Sequence, residues 1–394
     1  MSAAQTSAQR TELWAQLRRW PDPEAENLQA HDTADELLLD LAVERGVLPA
    51  EGGSVAVIGD QYGALTLALA QQGLTGHRVH TDRLASERAI TANAERAQLG
   101  ASFDLLSPAS EKADSLDDFA ATFLTGVRLV LMHLPRSLEE LRDWARLIAR
   151  HAAPDVTVLA GGRIKHMNRG MNDVLAEAFT TVDVSLARRK ARVIAARGPR
   201  PVTAPALAAA SYEVGLARPL QLRATGGTFG GAKLDPGTRF LLPSLAAVRG
   251  AERAVDLGSG NGTIAAYLAL THPGLRVVAS DQSAAAVLST RATLRANNVS
   301  DRAVVVQDDA LSAQPDGSAD LIVLNPPFHV GNTVHVGIAL KLFRAAGRVL
   351  APGGELWCVW NSHLRYRGRL EQFVGPTRQV ARNTKFTVTV STRS

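Results

Sequence analysis

The chain is almost without cysteine. Cys358 is the only one among 394 residues, which excludes an intramolecular disulfide and a zinc site built from cysteines. Because Cys358 lies in an apolar run at 356–360, we predict a buried core residue and not a nucleophile.

Long apolar runs are missing as well. No stretch reaches the roughly 18 apolar residues of a membrane span. Residues 1–6 show no charged segment followed by an apolar one, so we expect no secretory signal. With an apolar content of 46%, the composition predicts a soluble cytoplasmic protein of about two domains, and we expect a monomer without membrane contact.

Acidic residues are scarce in the second half of the chain. Residues 1–200 carry a formal charge of −3, whereas residues 201–394 carry +8. The basic side chains of the tail are Arg365, Arg367, Arg369, Arg378, Arg382, Lys385 and Arg393. A second basic stretch, at 188–200, closes the first half. Such clusters are often only a solvated face, but a half with this charge also suits a nucleic-acid partner.

The most specific short motif is Asn325-Pro326-Pro327-Phe328, which follows the apolar run 321–324. That run predicts a buried strand, and two prolines end it in a rigid loop at the carboxyl edge of a sheet. An Asn oxygen there can accept a hydrogen bond from an exocyclic amine, and a Phe ring can stack on a planar base. A plain strand-ending turn is the structural alternative.

A glycine-rich turn lies upstream of this motif. Residues 254–262 run from a short strand through Gly258 and Gly260 into a predicted helix at 263–270. The glycines let the backbone approach a ligand closely, and the helix start offers free N–H groups to a carboxylate or phosphate. The dinucleotide fingerprint needs its third glycine where Thr263 stands, which argues against NAD or FAD.

Carboxylates follow the predicted strands of this region. Asp256 lies inside the glycine motif and provides an acceptor for an ammonium group. Asp281 follows the strand 275–280, where an acidic residue can bind ribose hydroxyls. Asp308 or Asp309 can accept from an adenine amine. Any one of these acids can instead be a helix cap, but acids at successive strand ends favour a nucleoside site.

Residues 254–328 resemble the class I S-adenosylmethionine-dependent methyltransferases that carry an Asn-Pro-Pro-aromatic motif and methylate amide or exocyclic nitrogens. The segment GGTFGGAKLDPGTRFLL at 226–242 and the tail at 360–364 and 383–386 are similar to ribosomal RNA guanine-N2 methyltransferases. The members that modify large-subunit RNA resemble the chain most, followed by their small-subunit relatives. The similarity spans most of the chain, because that family also carries a degenerate amino-terminal copy of its catalytic domain.

The resemblance implies S-adenosyl-L-methionine as the cofactor, no metal, and roles for individual residues. The residues implied to bind the cofactor are Asp256, Gly258, Gly260, Asn261, Asp281, Asp309 and Asn325. The residues implied to act in catalysis are Asn325, Pro326 and Phe328. On this interpretation, Asn325 and the carbonyl of Pro326 accept the two protons of the guanine amine while Phe328 stacks on the base. The base must be unpaired or flipped out of its helix.

The first half repeats the plan of the second without its polar groups. Residues 54–63 match 253–262 at a constant offset, which predicts an internal duplication. Val57 and Gln61 replace the aspartate and the second glycine of the motif. The expected counterpart of the Asn-Pro-Pro-Phe motif is Met-His-Leu-Pro at 132–135. We therefore predict that the first half lost cofactor binding and keeps a role in packing or RNA positioning.

The predicted fold class is α/β, with two tandem doubly wound Rossmann-like methyltransferase domains of which the first is degenerate. The degenerate domain spans 1–200, a proline-rich linker spans 201–210, and the catalytic domain spans 211–394. We expect the last strand, at 386–390, to be antiparallel to its neighbours.

These features predict transfer of a methyl group to the exocyclic N2 of a guanosine in ribosomal RNA, with large-subunit RNA favoured. Alternatives within the same fold are small-subunit RNA, adenine N6 and a protein glutamine. An alternative of another class is a non-catalytic RNA-binding assembly factor. The intact glycine motif and Asn325 argue against that last alternative.

Overall fold

The computed structural model describes residues 3–109, 113–327 and 333–394, and the chain divides into two compact units, Met1–Ala206 and Leu207–Ser394. Among the described residues of the first unit, seven strands form one sheet in the order β3-β2-β1-β4-β5-β7-β6. The strands are β1 (Val55–Ile58), β2 (His77–His80), β3 (Phe103–Leu105), β4 (Leu129–His133), β5 (Thr157–Arg163), β6 (Phe179–Val184) and β7 (Ala191–Pro199). The helices are α1 (Ala3–Gln16), α2 (Thr33–Glu44), α3 (Ala64–Gln71), α4 (Leu84–Arg96), α5 (Leu116–Leu124), α6 (Leu138–His151) and α7 (Gly170–Ala178).

The sequence explains where these elements begin. All four residues of β1 are buried, as expected of a central strand covered by helices on both faces. Asp32 caps α2 by accepting a hydrogen bond from the Ala34 N–H, and Asp35 accepts one from the Asp32 backbone. Ser115 and Ser137 cap α5 and α6 through their hydroxyl oxygens.

The second unit repeats this topology. In the described part of that unit, its seven-stranded sheet has the order β12-β11-β10-β13-β14-β16-β15, and β16 runs antiparallel to both of its neighbours. The strands are β8 (Ala208–Tyr212), β9 (Leu220–Ala224), β10 (Arg253–Leu257), β11 (Arg276–Asp281), β12 (Ala303–Gln307), β13 (Ala319–Leu324), β14 (Leu350–Asn361), β15 (Thr377–Arg382) and β16 (Phe386–Thr392). The helices are α8 (Pro236–Leu245), α9 (Thr263–Thr271), α10 (Ala284–Ala296), α11 (Thr333–Val349) and α12 (Arg367–Phe373). The predicted antiparallel strand at the end of the chain is therefore confirmed.

A separate hairpin of β8 and β9 precedes the second sheet. Backbone N–H groups of β9 donate hydrogen bonds to the side chain of Thr293 on α10 and to the side chain of Asn297, which directly follows that helix. β8 begins at Ala208, within the predicted linker at 201–210, and the two compact units divide after Ala206. Three consecutive alanines have little intrinsic strand preference, and pairing with β9 decides their conformation.

Candidate active site

The glycine-rich turn after β10 has the backbone that its sequence requires. Gly258, Gly260 and Gly262 all have positive φ angles, of 79°, 54° and 77°. A methyl group at Gly258 or Gly260 would meet no protein atom within 4 Å, so this face of the turn is open. At Gly262 a methyl group would come within 2.9 Å of the Thr290 Cα, so the absence of a side chain there allows α9 and α10 to pack closely.

Asp256 is fully buried near the end of β10. One carboxylate oxygen accepts a hydrogen bond from the Ala265 N–H at 2.9 Å, and the other has no partner among the described residues. Burial raises the pKa of Asp256 to about 7, and the negative charge of Asp281 adds to the rise. An unpaired buried oxygen is costly, so a cationic or hydrogen-bond-donating ligand would stabilise it.

Asp281 ends β11 next to the glycine turn. Its carboxylate accepts hydrogen bonds from the backbone N–H groups of Gly260 at 2.9 Å and Ser283 at 3.0 Å. These contacts fix the carboxylate at the carboxyl edge of the sheet. Each carboxylate oxygen can accept more than one hydrogen bond, which suits contact with a diol.

Asp308 and Asp309, left as alternatives by the sequence, have different surroundings. Asp308 is buried, and its two oxygens accept hydrogen bonds from Ser312 Oγ and the Ala313 N–H within its own turn. Asp309 accepts a hydrogen bond from Lys341 Nζ at 2.5 Å, and that lysine is half exposed. Both oxygens of Asp308 thus have partners within its own turn, and Asp309 stays the predicted residue for ligand contact.

Asn261 uses its side chain within the protein. Its amide nitrogen donates to the carbonyls of Gly231 and Lys233, and its oxygen accepts from Thr263 Oγ1 at 2.6 Å. The side chain thereby joins the glycine turn to the segment before α8. Only the backbone of Asn261 is left for a ligand.

Asn325 lies directly after β13, half buried, and Pro326 beside it is buried. Its amide nitrogen donates to Asp235 Oδ1 at 2.8 Å and to Thr238 Oγ1 at 2.9 Å. The amide oxygen is buried and has no partner among the described residues. Phe328, the predicted stacking residue, lies outside the described residues.

The strand register brings these groups together. β10 to β13 are parallel, and Leu257 pairs with Ser280 on one side and with Leu324 on the other. The strand order reverses at β10, with β11 on one side and β13 on the other. Asp256, Asp281 and Asn325 lie at or next to the carboxyl ends of these three strands, and such a switch point is where open α/β sheets bind ligands. Sequence reasoning missed Asp235 and Thr238, although an Asp before a Pro is a recognisable helix start.

In the first unit, the turn that corresponds to this glycine-rich turn is occupied by the side chain of Asp60, one of its own residues. The buried Asp60 carboxylate accepts hydrogen bonds from four successive N–H groups, of residues 63–66, and from Thr66 Oγ1. Tyr62 is buried beside it and donates to Asp22, while Trp14 donates to the Ala64 carbonyl. The N-terminus of α3 is therefore already paired with a negative charge.

The register also corrects one sequence alignment. Ile58 pairs with Met132 as Leu257 pairs with Leu324, so His133 and not Met132 occupies the position of Asn325. The displacement by one residue arises because β4 extends to His133, so Met132 at the start of the predicted motif still belongs to the strand. Burial lowers the pKa of His133, but the Asp35 carboxylate at 2.5 Å outweighs it and raises the pKa to about 9.

The basic clusters differ in how far their charges are neutralised. Three arginines of the stretch at 188–200 pair with acids: Arg188 with Glu44, Arg189 with Glu36, and Arg197 with Asp183. In the tail, Arg367 pairs with Glu371. The exposed residues Arg378, Arg382 and Lys385 form no ion pair with a described acid.

Other classes of site find little support in the described part of the chain. No cluster of His, Cys, Asp and Glu side chains there could hold a metal ion. None of its helices combines the length and apolarity needed to cross a membrane. Cys358 is fully buried, which raises the pKa of its thiol and agrees with the predicted core position.

The fold and the site together define a Rossmann-like methyltransferase. The methyltransferase small domain family matches residues 219–390, and the RLMG N-terminal domain family matches residues 4–200. The chain belongs to the ribosomal RNA large subunit methyltransferase G family. The predicted fold class and family are thus confirmed.

The relatives cover nearly the whole chain. The ribosomal RNA large subunit methyltransferase G of Streptomyces coelicolor is 35% identical over 383 residues, covering 94% of this chain and 96% of its own. That of Pseudomonas aeruginosa is 36% identical over 381 residues, with the same coverage. The solved structure of the T. thermophilus 16S rRNA N2 G1207 methyltransferase (RsmC), in complex with AdoMet and guanosine, has the same fold. It superimposes with a TM-score of 0.73 over 92% of each chain, at 23% identity.

Proposed function

We propose that the protein transfers a methyl group from S-adenosyl-L-methionine to the exocyclic N2 of a guanosine in large-subunit ribosomal RNA. The names of its relatives support the RNA and the reaction type. The observation that carries the choice of an exocyclic amine is the buried amide oxygen of Asn325, which lacks a partner among the described residues.

The residues around the glycine turn fit the cofactor. Asp256 has an unpaired oxygen suited to the ammonium group, and the turn at Gly258 and Gly260 has open space for the backbone to approach a ligand. Asp281 lies beside the glycine turn as the proposed acceptor for the ribose hydroxyls, and Asp309 is the proposed acceptor for the adenine amine. When bound, the sulfonium supplies an electrophilic methyl group, so the protein contributes mainly binding and orientation.

In this proposal the residues of the chain act by orienting a weak nucleophile, the guanine amine. The lone pair of a guanine amine is delocalised into the ring, and acceptors for its two protons favour a pyramidal nitrogen. Asn325 Oδ1 and the Pro326 carbonyl are the acceptors in this proposal, and burial of that amide oxygen and of Pro326 removes competing water. Phe328 remains the predicted stacking partner of the base.

We further propose that only the second unit binds the cofactor. Asp60 occupies the helix start of the first unit, and Val57 supplies no acceptor there. The first unit then serves in packing or RNA positioning. A soluble cytoplasmic monomer remains the prediction for the whole chain.

The test offers purified ribosomal RNAs with methyl-labelled cofactor and digests the products to nucleosides. Label in N2-methylguanosine from large-subunit RNA is the expected result. The same nucleoside from small-subunit RNA would move the assignment to the other subunit. Label in N6-methyladenosine or in protein would mean that the amine-binding site acts on a different substrate. No label in RNA or protein would favour a non-catalytic assembly factor.

A further inference from the structure

The first turn of α8 is built against the amide of Asn325. Asp235 is the N-cap of α8, and its Oδ1 accepts hydrogen bonds from both the Thr238 N–H and the Asn325 amide nitrogen, each at 2.8 Å. Pro236 fixes the first helical residue, so the cap and Thr238 stand in a defined geometry. Thr238 is itself buried and accepts from the same amide nitrogen.

This arrangement selects one of the two orientations of the amide. An ionised carboxylate only accepts hydrogen bonds, so the donor end of Asn325 must face Asp235. In the flipped orientation the amide oxygen would face a carboxylate oxygen, which is repulsive. The oxygen of Asn325 is therefore on the side of the amide that does not face the Asp235 carboxylate; it is buried beside Gly237 and has no hydrogen-bond partner among the described residues.

The first unit provides an independent parallel. There His133 occupies the position of Asn325, and it contacts Asp35, the third helical residue of α2. Thr238 is the third helical residue of α8. In both units the helix ahead of the first strand of the seven-stranded sheet thus contacts the side chain at the carboxyl end of that sheet's fourth strand in chain order.

We infer that Asp235, together with Thr238, is a positioning residue that fixes the Asn325 amide with its oxygen toward the substrate amine. This inference rests on the proposed function, in which that oxygen accepts a substrate proton. With a free amide, the donor end would face the amine for part of the time and could not accept. Loss of Asp235 is therefore expected to lower turnover more than binding.

The test compares two substitutions of Asp235. Asp235→Ser retains a good helix cap but is too short to reach Asn325, whereas Asp235→Asn retains an acceptor oxygen without the charge. We expect Asp235→Ser to lower kcat by about 10- to 100-fold, with cofactor affinity and RNA KM nearly unchanged. Asp235→Asn should recover most of that loss.

A second pair of variants distinguishes the effect of the Thr238 hydroxyl from the effect of the side-chain volume. Thr238→Val removes the acceptor at nearly constant volume, and Thr238→Ser keeps it. We expect Thr238→Val to lower kcat by about 5- to 10-fold and Thr238→Ser to remain close to the wild type. Full turnover in Asp235→Ser, or equal loss in Asp235→Ser and Asp235→Asn, would overturn the inference.

A readout without turnover distinguishes this inference from the proposed function. Side-chain amide NMR, with the Asn325 signal assigned by its absence in Asn325→Ala, should show slow hydrogen exchange in the wild type and fast exchange in Asp235→Ser. Unchanged exchange would refute the positioning role. If the wild-type protein methylates no RNA while this exchange difference is present, the proposed function fails and the positioning contact stands.

Discussion

Asn325 donates a hydrogen bond from its amide nitrogen to Asp235, and its amide oxygen is buried without a partner among the described residues. We predict that Asn325→Ala folds and binds the cofactor but loses about 100-fold or more in turnover, because an interaction made mainly in the transition state is removed. Thermal unfolding and calorimetry with the cofactor serve as controls. Turnover near the wild-type value on ribosomal RNA would show that Asn325 is only part of a strand-ending turn.

The pH dependence of cofactor binding should follow Asp256. Its pKa of about 7 means that the folded chain keeps a proton which the unfolded chain releases near 3.8, so its contribution to stability falls from about pH 4 to pH 7. An ammonium ligand favours the ionised form. We therefore expect cofactor affinity to rise from about pH 6 to about pH 7.5, below the usual range of α-amino titration.

Asp256→Asn is the matched control for this pH effect, because an amide oxygen can still accept from Ala265. Calorimetry in buffers of different ionisation enthalpy should record proton release by the wild type and little by the variant. The same pH profile in both proteins would assign the effect to another group.

Asp281 should contribute to affinity through its carboxylate. Asp281→Ala is expected to weaken cofactor binding by roughly 1.5–3 kcal/mol, or about tenfold or more, because a charged acceptor for hydroxyl groups is removed. Asp82 of the first unit stands at the matching offset, and Asp82→Ala should leave the affinity unchanged. An equal loss in both variants would contradict the one-site proposal.

The identity of the polar site residues could be predicted from sequence, but their partners could not. Asp256 and Asp281 stand at strand ends that local pattern reveals. Asp235 is 90 positions before Asn325, and only the packing of α8 brings the two together. The saturation of Asn261 is likewise a tertiary effect, since two of its acceptors are carbonyls from the segment before α8.

At the scale of elements, the two glycine turns show how one strand-turn-helix plan keeps or fills a ligand site. The turn after β10 has glycine where the turn after β1 has Gln61, and Ser259 where the first unit has Asp60. An acid at this position pairs with the start of α3 through five hydrogen bonds. The periodic apolar runs predicted the elements well, whereas the bounds of β4 and β8 depend on their partners across the sheet.

Asp60→Ala tests whether this carboxylate serves the fold of the first unit. We expect a loss of about 1–2 kcal/mol in unfolding stability, because N–H groups at the start of α3 lose their acceptor. Cofactor stoichiometry should remain one per chain, since Val57 and Gln61 still lack the groups of the second unit. A second binding event in calorimetry would contradict the assignment of the first unit.

For the whole molecule, the ion pairs show which basic side chains of the two unevenly charged halves are neutralised by acids. Three of the six basic residues at 188–200 in the first unit pair with acids, whereas Arg378, Arg382 and Lys385 are exposed on and beside β15 without an acidic partner in the described part of the chain. The sequence predicted the net charge of each half, but not which charges are available. That distinction requires tertiary contacts, because Arg188 and Glu44 are far apart in the chain.

RNA binding should therefore depend on salt mainly through the tail. Replacing Arg378, Arg382 and Lys385 together by Gln should flatten the plot of log K against log salt by about 0.7–0.9 for each phosphate that is no longer neutralised. Cofactor affinity should not change, because none of the three lies among the groups that surround the glycine turn. Arg188→Gln with Arg189→Gln is the matched control, since those charges already face Glu44 and Glu36.

Filter binding of large-subunit RNA over a range of salt concentrations measures both slopes. If the control flattens the slope as much as the tail variant, the first unit contacts RNA through its own basic stretch. If neither variant changes it, the phosphate contacts lie on another surface, and the charge of the tail is only a solvated face.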